Sequence, residues 1–210
     1  MILIINAENR SLFDVELIEM HRQRKAVFVD KQGWQVPVIG DMEVDDYDGE
    51  NTTYLIAKAD SGSSAVLASA RLLPTVQPHL MADLFLDACG GSAPRGPSIW
   101  EVSRFCVSPG IVKRRRRVEL LWEMTCAVIE TTLLYGIEKV TFVANAALLP
   151  LALECGWSAE RLGPTLPDGD DEITAVAASI TPHGLRAVRE RLGVNGPVTR
   201  FPLPAVKIAA

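Results

Sequence analysis

The stretch Ile-Trp-Glu-Val-Ser-Arg-Phe-Cys-Val, residues 99–107, is the part of the sequence around which the rest is organised. Its β-branched and aromatic residues are typical of a buried strand, where unpaired charges are poorly tolerated. Glu101 and Arg104 nevertheless lie inside it. Alternate side chains of a regular strand face opposite sides, so these charges lie on opposite faces unless a bulge intervenes. A central strand that carries both charges predicts a functional site.

The composition is that of an ordinary globular protein. The chain has 210 residues, of which 48% are hydrophobic and 22% charged, with a net charge of −5. Its apolar runs are too short to span a membrane, and its first residues lack the features of a signal peptide. We therefore expect a cytoplasmic protein without a membrane span, a monomer or weak dimer, with one domain over residues 1–192 and a tail over 193–210.

The cysteines and the charge balance argue against two classes of protein, metal-binding proteins and general nucleic-acid binders. The four cysteines form no C-x-x-C pair and are accompanied by only three histidines, which favours reduced core thiols and no metal site. The acidic balance argues against a nucleic-acid binder. A local basic run, Lys113 to Arg117, therefore needs its own explanation.

Hydrophobic periodicity and turn residues predict an α/β protein, of the α+β kind, with a mixed sheet. A hairpin with a turn at 60–63 is antiparallel, whereas the strand–helix–strand unit that follows residue 99 should be parallel. Ser11 and Asp14 resemble a capping box at the start of the first helix. The predicted strands are 1–5, 52–59, 65–73, 99–107, 139–144, 157–162 and 172–180, and the predicted helices are 11–28, 78–88, 118–135, a short one after Asn145, and 182–192.

Two charged features of the first fifty residues have competing interpretations. Arg24 interrupts the apolar stripe of the first helix, and its spacing favours, by about two to one, a packed stem with the guanidinium in water. The acidic run from Asp41 to Glu50 is typical of a solvated loop, although Val44 and Tyr47 indicate that part of it packs. A calcium loop does not fit, because Asn51 lies where the turn glycine belongs.

The charged residues balance if they converge in one cleft. Such a set either closes into a structural ion-pair network or holds a ligand that carries both a carboxylate and a cation. The sequence has neither a G-x-S-x-G nucleophile motif nor a glycine-rich phosphate-binding motif. This leaves chemistry by positioning, with a carboxylate or a water as base. The set comprises Arg24, Glu43, Asp45, Asp48, Arg71, Glu101 and Arg104.

The order of these residues resembles the acyl-homoserine-lactone synthases, the autoinducer-synthesis family of bacterial quorum sensing. The resemblance covers about residues 1–162, and in the C-terminal third only Gly156-Trp157 and Leu162-Gly163-Pro164 match the family pattern. The motifs that carry it are Arg24, Phe28, Gly33-Trp34, Glu43-x-Asp45-x-x-Asp48, Arg71-Leu-Leu-Pro-Thr75, Phe85 and Trp100-Glu101-x-x-Arg104-Phe105.

The resemblance implies a fold like that of the GCN5-related N-acetyltransferases and a reaction with two substrates. Such enzymes transfer an acyl group from an acyl carrier protein or an acyl-CoA to the amine of S-adenosylmethionine, close the lactone and release methylthioadenosine. S-adenosylmethionine is then a substrate, and no cofactor is expected. By analogy with the family, the residues around it are Arg24, Phe28, Trp34, Asp45 and Arg104.

Other roles follow from the same resemblance. Asp48, Arg71 and Glu101 are expected to form a supporting ion-pair network, and either Glu101 or Glu43 is the candidate base, with Arg104 orienting the carboxylate. The basic run is expected to bind the anionic part of the acyl donor; its members are Lys113, Arg114, Arg115, Arg116 and Arg117. The candidate walls of the acyl pocket, each of which also suits an ordinary core, are Phe85, Phe105, Val107, Phe142, Ala144, Leu148 and Trp157.

The main alternative is an acetyltransferase of the same fold that acts on another amine. That class needs an R-x-x-G-x-G or R-x-x-G-x-A loop after the central strand to wrap the diphosphate, and residues 108–119 lack it. Binding of nucleic acid by the basic run is a second, weaker alternative, because no aromatic residues alternate with the basic ones.

Overall fold

The computed structural model describes residues 1–59 and 64–204. The predicted turn at 60–63 lies outside these ranges. The strands are β1 (Ile2–Ile5), β2 (Val38–Ile39), β3 (Met42–Glu43), β4 (Thr53–Lys58), β5 (Val66–Pro74), β6 (Ile99–Val107), β7 (Lys139–Asn145), β8 (Ser158–Arg161), β9 (Leu166–Asp168), β10 (Asp171–Ser179) and β11 (Thr199–Arg200). The helices are α1 (Asp14–Arg24), α2 (Leu80–Leu84), α3 (Arg114–Leu134), α4 (Leu149–Glu154) and α5 (Pro182–Leu192).

The strands form a mixed sheet, as predicted. Its order is β11-β1-β4-β5-β6-β7-β10-β8, with β9 also on β10, while β2 and β3 form a separate ribbon. The β4–β5 hairpin is antiparallel, and β6 and β7, which α3 connects, are parallel. Pairing is therefore antiparallel from β4 through β5 to β6, and it becomes parallel between β6 and β7.

The two faces of the sheet have different chemistry. One face packs against α3 with apolar side chains such as Leu72, Val102 and Val140. The other carries polar side chains, among them Arg71, Glu101 and Ser103, and lies against α1 and α2. A charged face buried under helices needs internal partners for every charge, so this face is where a site is expected.

A β-bulge in β6 brings Arg104 to the polar face. Ser69 pairs with Cys106 and Arg71 with Ser103, so β6 advances by three residues where β5 advances by two. Arg104 takes a positive φ of 51°, which non-glycine residues rarely adopt. Without the bulge its side chain would share a face with Val102. The bulge that the sequence left open is therefore present, and both charges of the strand serve one site.

Strands β6 and β7 separate partway along their length. They pair only from Ile99 with Lys139 to Glu101 with Thr141, although β6 continues to Val107 and β7 to Asn145. The sheet thus opens beyond Glu101. This opening lies at the carboxyl ends of two parallel strands, where open α/β sheets bind ligands.

The first helix differs from its prediction at both ends. Phe13 precedes α1 and no side chain caps it, because a 3₁₀ turn at Arg10–Leu12 takes up Ser11. After Arg24 the chain continues as a π-helix, Lys25–Lys31, which places Phe28 in the core. Such π-helical segments are rare and often lie at functional sites.

Two further expectations about helices are corrected. The predicted helix 78–88 is only α2 followed by a 3₁₀ turn, Asp87–Cys89, and Leu84 within this segment is exposed. The predicted helix 118–135 begins at Arg114, so the basic run forms its first turn. The last helix is as predicted, with the Thr181 hydroxyl accepting a hydrogen bond from the Gly184 N–H.

The segment after α5 is tied to the sheet. β11 pairs in parallel with β1, and the buried Glu130 carboxylate of α3 accepts hydrogen bonds from the Val198 and Thr199 N–H groups at 3.0 Å. Part of the predicted tail thus completes the sheet edge, while the boundary at residue 192 stays a prediction. All four cysteines are free and buried, as expected. Over the described ranges, no helix is long and apolar enough to cross a membrane.

Candidate active site

Three arginines and three carboxylates form one buried cluster on the polar face. Arg24 donates to both Asp48 oxygens at 2.7 and 2.9 Å and also to Glu43. Arg71 donates to both Asp45 oxygens and lies 3.0 Å from Asp48. Arg104 donates to Glu43 and to Asp45, both at 2.9 Å. We call these six residues, Arg24, Glu43, Asp45, Asp48, Arg71 and Arg104, the ion-pair network.

The local chain explains how the acids reach the arginines. β3 carries Glu43 against α1, and the turn that follows is closed by the Asp45 N–H donating to Asp48 at 2.9 Å. Tyr54 of β4 adds a hydrogen bond to Asp48 at 2.8 Å. The acidic run therefore folds inward at three positions, and the interpretation as a solvated loop is wrong there.

Arg24 is not in water, contrary to the favoured interpretation. Its side chain is fully buried, and each of its nitrogens donates to a carboxylate. Asp45 likewise uses both oxygens on Arg71 and Arg104. Arg24 and Asp45, predicted to contact S-adenosylmethionine, thus lie within the network in this structure. Each nitrogen of Arg24 and each oxygen of Asp45 thus already has a partner, so these buried charges support the shape of the pocket.

Arg104 is the member of the network that can reach a ligand. Its Nε and Nη2 donate hydrogen bonds to Glu43 and Asp45, whereas its Nη1 donates none within the described chain. Its guanidinium lies 5.4 Å from the Phe28 ring centre and 5.8 Å from that of Trp34. The predicted position of Arg104 beside these two aromatic residues is thus present in the fold.

Phe28 and Trp34 form a stacked aromatic pair over Arg104. Their ring centres are 4.8 Å apart with an angle of 24° between the planes. The Trp34 N–H donates to the Phe28 carbonyl at 2.8 Å, which closes the end of the π-helix. Phe28 is buried whereas Trp34 is 40% exposed, so the pair borders solvent at Trp34. The π face of the partly exposed Trp34 ring and the Arg104 nitrogen without a partner can hold a cationic centre and a carboxylate, respectively.

Glu101 lies apart from the network. Its carboxylate accepts the Met81 N–H of α2 at 2.7 Å, and no hydrogen bond joins it to an arginine in residues 1–59 and 64–204. The prediction that Glu101 belongs to the ion-pair network is therefore wrong, because α2 covers it from the other side. Arg71 still attracts it through space.

The two candidate bases have opposite protonation behaviour. Burial raises the pKa of Glu101 to about 7, and the Met81 N–H and Arg71 only partly oppose this effect. Burial also acts on Glu43, but hydrogen bonds from Arg24 and Arg104 outweigh it and lower its pKa. A general base works best with a pKa near the working pH. These opposite pKa shifts favour Glu101 over Glu43 as the candidate base.

The predicted walls of the acyl pocket do not all face the same side. Phe105, Val107 and Phe142 pack with the α3 core, and Phe142 stacks on Trp157 at 5.9 Å. Phe85 packs with the cluster of Val143, the next residue of β7. Successive residues of a strand face opposite sides, so Phe85 is separated from Phe142 by the sheet. Phe142 and Ala144 lie on β7 beside the opening, and Leu148 lies just before α4.

The basic run is partly neutralised by its own helix. Arg115 pairs with Glu119 at 2.9 Å, and Arg116 pairs with Glu123 at 2.6 Å. Arg117 donates to the carbonyl groups of Ser108 and Ile111. Lys113 and Arg114 have no ion pair within the described chain, so they carry the available positive charge at the start of α3.

Sequence reasoning missed three contributors to this face. Ser103 accepts a hydrogen bond from Arg71 at 3.0 Å, Met81 supplies the N–H that holds Glu101, and Thr141 lies beside Glu101 on β7. Ser103 could have been found, because it alternates with Glu101 in the strand. The other two become neighbours only through tertiary packing.

Comparison with known proteins identifies the family to which the chain is similar. The family model described as autoinducer synthase matches residues 8–186. An isovaleryl-homoserine lactone synthase from Bradyrhizobium diazoefficiens is 34% identical over 199 residues, covering 92% of this chain and 86% of that protein. The structure of BjaI, a CoA-dependent acyl-homoserine lactone synthase solved with SAM and isopentyl-CoA, superposes with a TM-score of 0.87 at 30% identity, covering 98% of this chain and 95% of BjaI.

A more distant structure shows the fold alone. An acyl-CoA N-acyltransferase from Pseudomonas aeruginosa is 20% identical, with a TM-score of 0.55, and covers 86% of this chain and 99% of its own. The sheet with an opened parallel pair therefore defines an N-acyltransferase fold of the class expected from the sequence. Within that class, the chain belongs to the autoinducer synthase family. The prediction of an acyl-homoserine-lactone synthase, and hence of an acyltransferase, is confirmed at this level.

Proposed function

We propose that this chain transfers an acyl group from an acyl-CoA to the amine of S-adenosylmethionine, and then closes the homoserine lactone with release of methylthioadenosine. The observation that carries the proposal is Glu101, a buried carboxyl with a pKa of about 7 where β6 and β7 separate, on the same face as Arg104. The BjaI structure with SAM and isopentyl-CoA supports the choice of substrates. S-adenosylmethionine is consumed as a substrate, and we propose that no cofactor takes part.

Arg104 and the aromatic pair are proposed to hold S-adenosylmethionine. The free Nη1 of Arg104 offers a charged donor for the methionine carboxylate. The sulfonium, a cation without N–H groups, suits the exposed ring of Trp34. Arg24, Arg71 and the three acids then fix Arg104, because each arginine of the network is held by at least two carboxylates.

Glu101 is proposed to make the amine nucleophilic. The ammonium gives a proton to the Glu101 carboxylate, directly or through a water, and the neutral amine attacks the thioester carbonyl. The C–S bond of the thioester then breaks, the nitrogen gives its second proton to the departing thiolate, and free coenzyme A leaves. A carboxyl with a pKa near 7 is about half ionised at neutral pH, so Glu101 can accept the first proton and then release it to water.

Lactone closure needs no further catalytic group. One carboxylate oxygen attacks the methionine γ-carbon, the C–S bond to the sulfonium breaks, and neutral methylthioadenosine leaves with the electron pair. The reaction is intramolecular, so holding the carboxylate and the sulfonium at fixed places supplies most of the required assistance. Arg104 and Trp34 are proposed to fix these two ends.

The acyl donor is proposed to enter the opening between β6 and β7. The opening lies between Val102 to Val107 and Phe142 to Asn145, with the start of α3 near its wide end. Lys113 and Arg114 can attract the phosphates of coenzyme A there, where the helix N-terminus also favours anions. An acidic acyl carrier protein would use the same charges, and the experiment below separates the two donors.

The deciding experiment supplies the purified chain with S-adenosylmethionine and isovaleryl-CoA. Methylthioadenosine is quantified by chromatography, and the lactone by mass spectrometry. We expect both products in equal amounts, and neither when the acyl donor is omitted. An isovaleryl carrier protein, tested in parallel, should give a lower kcat/KM. A better rate with the carrier protein would refute acyl-CoA as donor, and no methylthioadenosine with either donor would refute the proposed reaction.

The cellular setting is proposed from the substrates. S-adenosylmethionine and acyl-CoA are made inside the cell, which supports a cytoplasmic location that cell fractionation can test. The predicted state of a monomer or weak dimer is tested by analytical ultracentrifugation across a range of protein concentrations.

A further inference from the structure

A buried hydroxyl group lies beside Glu101 without a partner. Thr141 of β7 is in register with Glu101 of β6, so the two side chains point to the same face from neighbouring strands about 4.8 Å apart. Thr141 is fully buried, and its Oγ1 forms no hydrogen bond with any described residue. Buried hydroxyl groups are normally bonded, because an unmet one costs about 1–3 kcal/mol.

The surroundings leave Glu101 as the natural acceptor for this hydroxyl. On the polar face, Thr141 is flanked by Val143 along β7 and by Ala177 across on β10, whose side chains have no hydrogen-bonding atoms. α2 covers β6 and β7 from above, which separates the pair from solvent. The carboxyl of Glu101 is thus the nearest side-chain acceptor that the register provides.

Glu101 needs such a donor when it carries its charge. The charged and titratable groups that face it are Arg71 from β5, Asp83 from α2, Cys89 from the 3₁₀ turn and Tyr47 from the loop after β3. Arg71 directs its hydrogen bonds to Asp45 and Ser103, so it acts on Glu101 only through space. The carboxylate therefore has backbone donors at Met81 and Leu80 but no side-chain donor among the described residues.

We propose that Thr141 is a positioning residue for Glu101, whose hydroxyl donates a hydrogen bond to the charged Glu101 carboxylate, directly or through one water. Rotation about the Cα–Cβ bond of Thr141 brings the hydroxyl toward β6. The hydrogen bond favours the charged form, and it also holds the carboxylate at the opening between β6 and β7. This inference rests on the proposed role of Glu101 as base.

The first test measures the protonation of Glu101 itself and does not depend on activity. Protein carrying ¹³C at the glutamate carboxyl groups is titrated by NMR, and Glu101→Gln identifies the Glu101 signal. The pKa of about 7 arises without a hydrogen bond from Thr141, so we expect a midpoint near pH 7 in the variant that lacks the hydroxyl and a lower midpoint in the native chain. In Thr141→Val, which keeps the shape and removes the hydroxyl, the midpoint should rise by about one pH unit. Thr141→Ser, which keeps the hydroxyl, should restore the native midpoint.

A matched control is available in α3. Thr131 is also fully buried with an unpartnered hydroxyl, but it lies on a helix and does not neighbour Glu101. Thr131→Val should leave the Glu101 midpoint unchanged. An unchanged midpoint in Thr141→Val, or an equal shift in both valine variants, would overturn the proposal. Thermal melts of each variant confirm that the titrated protein is folded.

The second test follows kcat/KM against pH by methylthioadenosine release. Loss of the hydroxyl should move the acid limb upward by the same one unit, so that Thr141→Val is about tenfold slower at pH 5, below both midpoints, and approaches the native rate at pH 9. An equal loss at every pH would overturn the proposal, because it would assign the hydroxyl to substrate binding or to structure. A midpoint that moves by NMR while the acid limb stays fixed would support the hydrogen bond and refute Glu101 as the base.

Discussion

Replacing Arg71 by alanine should destabilise the fold far more than removing a surface arginine. Arg71 is fully buried, donates to both Asp45 oxygens, lies 3.0 Å from Asp48 and donates to Ser103. Its loss leaves buried carboxylates short of a partner. Breaking one side of a buried ion pair typically costs about 3–5 kcal/mol. For a chain of 210 residues, each kcal/mol lowers Tm by about 2–4 °C. We therefore expect a fall in Tm of about 6–20 °C.

The same structure supplies a control for this measurement. The Arg115 side chain is 93% exposed although it also pairs with a carboxylate, that of Glu119. Exposed pairs contribute about 0–1 kcal/mol, so Arg115→Ala should change Tm by no more than a few degrees. Both variants are compared with the native chain by calorimetry and by urea unfolding at pH 7.

A second substitution separates loss of the ion pair from loss of packing. Asp45→Asn in the Arg71→Met background removes the charge that Arg71 leaves behind, so the double variant should cost less than the sum of the two single ones. The expected coupling lies in the range of about 0.5–3 kcal/mol for groups in one network. If Arg71→Ala melts within 2 °C of Arg115→Ala, the network does not stabilise the fold and the reasoning fails.

Four further predictions follow from the site. Because the pKa of Glu101 is raised to about 7, ionisation of Glu101 lowers the free energy of unfolding by an amount that grows between about pH 4.5 and 7 and is complete above pH 7. Glu101→Gln should therefore be inactive yet more stable than the native chain at pH 8, with equal stability at pH 4. The lowered pKa values of Glu43 and Asp48 act in the opposite sense; stability measured by urea unfolding should be full above about pH 5 and decline as the pH falls below 4. Trp34→Ala should weaken S-adenosylmethionine binding about threefold to thirtyfold by calorimetry, and an unchanged Kd would remove Trp34 from the substrate site. Changing Lys113 and Arg114 to Gln should raise KM for the acyl-CoA and flatten its salt dependence without changing KM for S-adenosylmethionine, whereas Arg115→Gln should change neither.

The sheet and the membership of the cluster could be predicted, because both depend on local patterns. Alternation located β4 to β7 and β10 to within a few residues, and the need to neutralise charges in a buried strand pointed to a cluster around Arg71 and Arg104. Family resemblance added the two substrates. The sequence leaves open whether the central strand is regular or bulged, since it has no glycine at the bulged position.

The errors came from contacts between residues far apart in sequence. Arg24 was expected in water because helical spacing describes only its own helix, while its partners come from a ribbon and a turn twenty residues later. The family resemblance predicts Glu101 in the network, but the Met81 N–H of α2 holds its carboxylate. Phe85 and Phe142 are predicted as walls of one acyl pocket, although the sheet separates them.

The left-handed backbone of Arg104 changes how mutational scans of this enzyme should be designed. At a φ of 51°, alanine or a β-branched residue keeps or increases the backbone strain, whereas glycine removes it and asparagine tolerates it well. An alanine scan at position 104 thus reports the backbone and the guanidinium together. Arg104→Asn isolates the chemistry of the side chain, and Arg104→Gly should trade activity for a bulge that forms more readily. A mutational library without asparagine and glycine at position 104 cannot separate the role of the guanidinium from that of the backbone conformation.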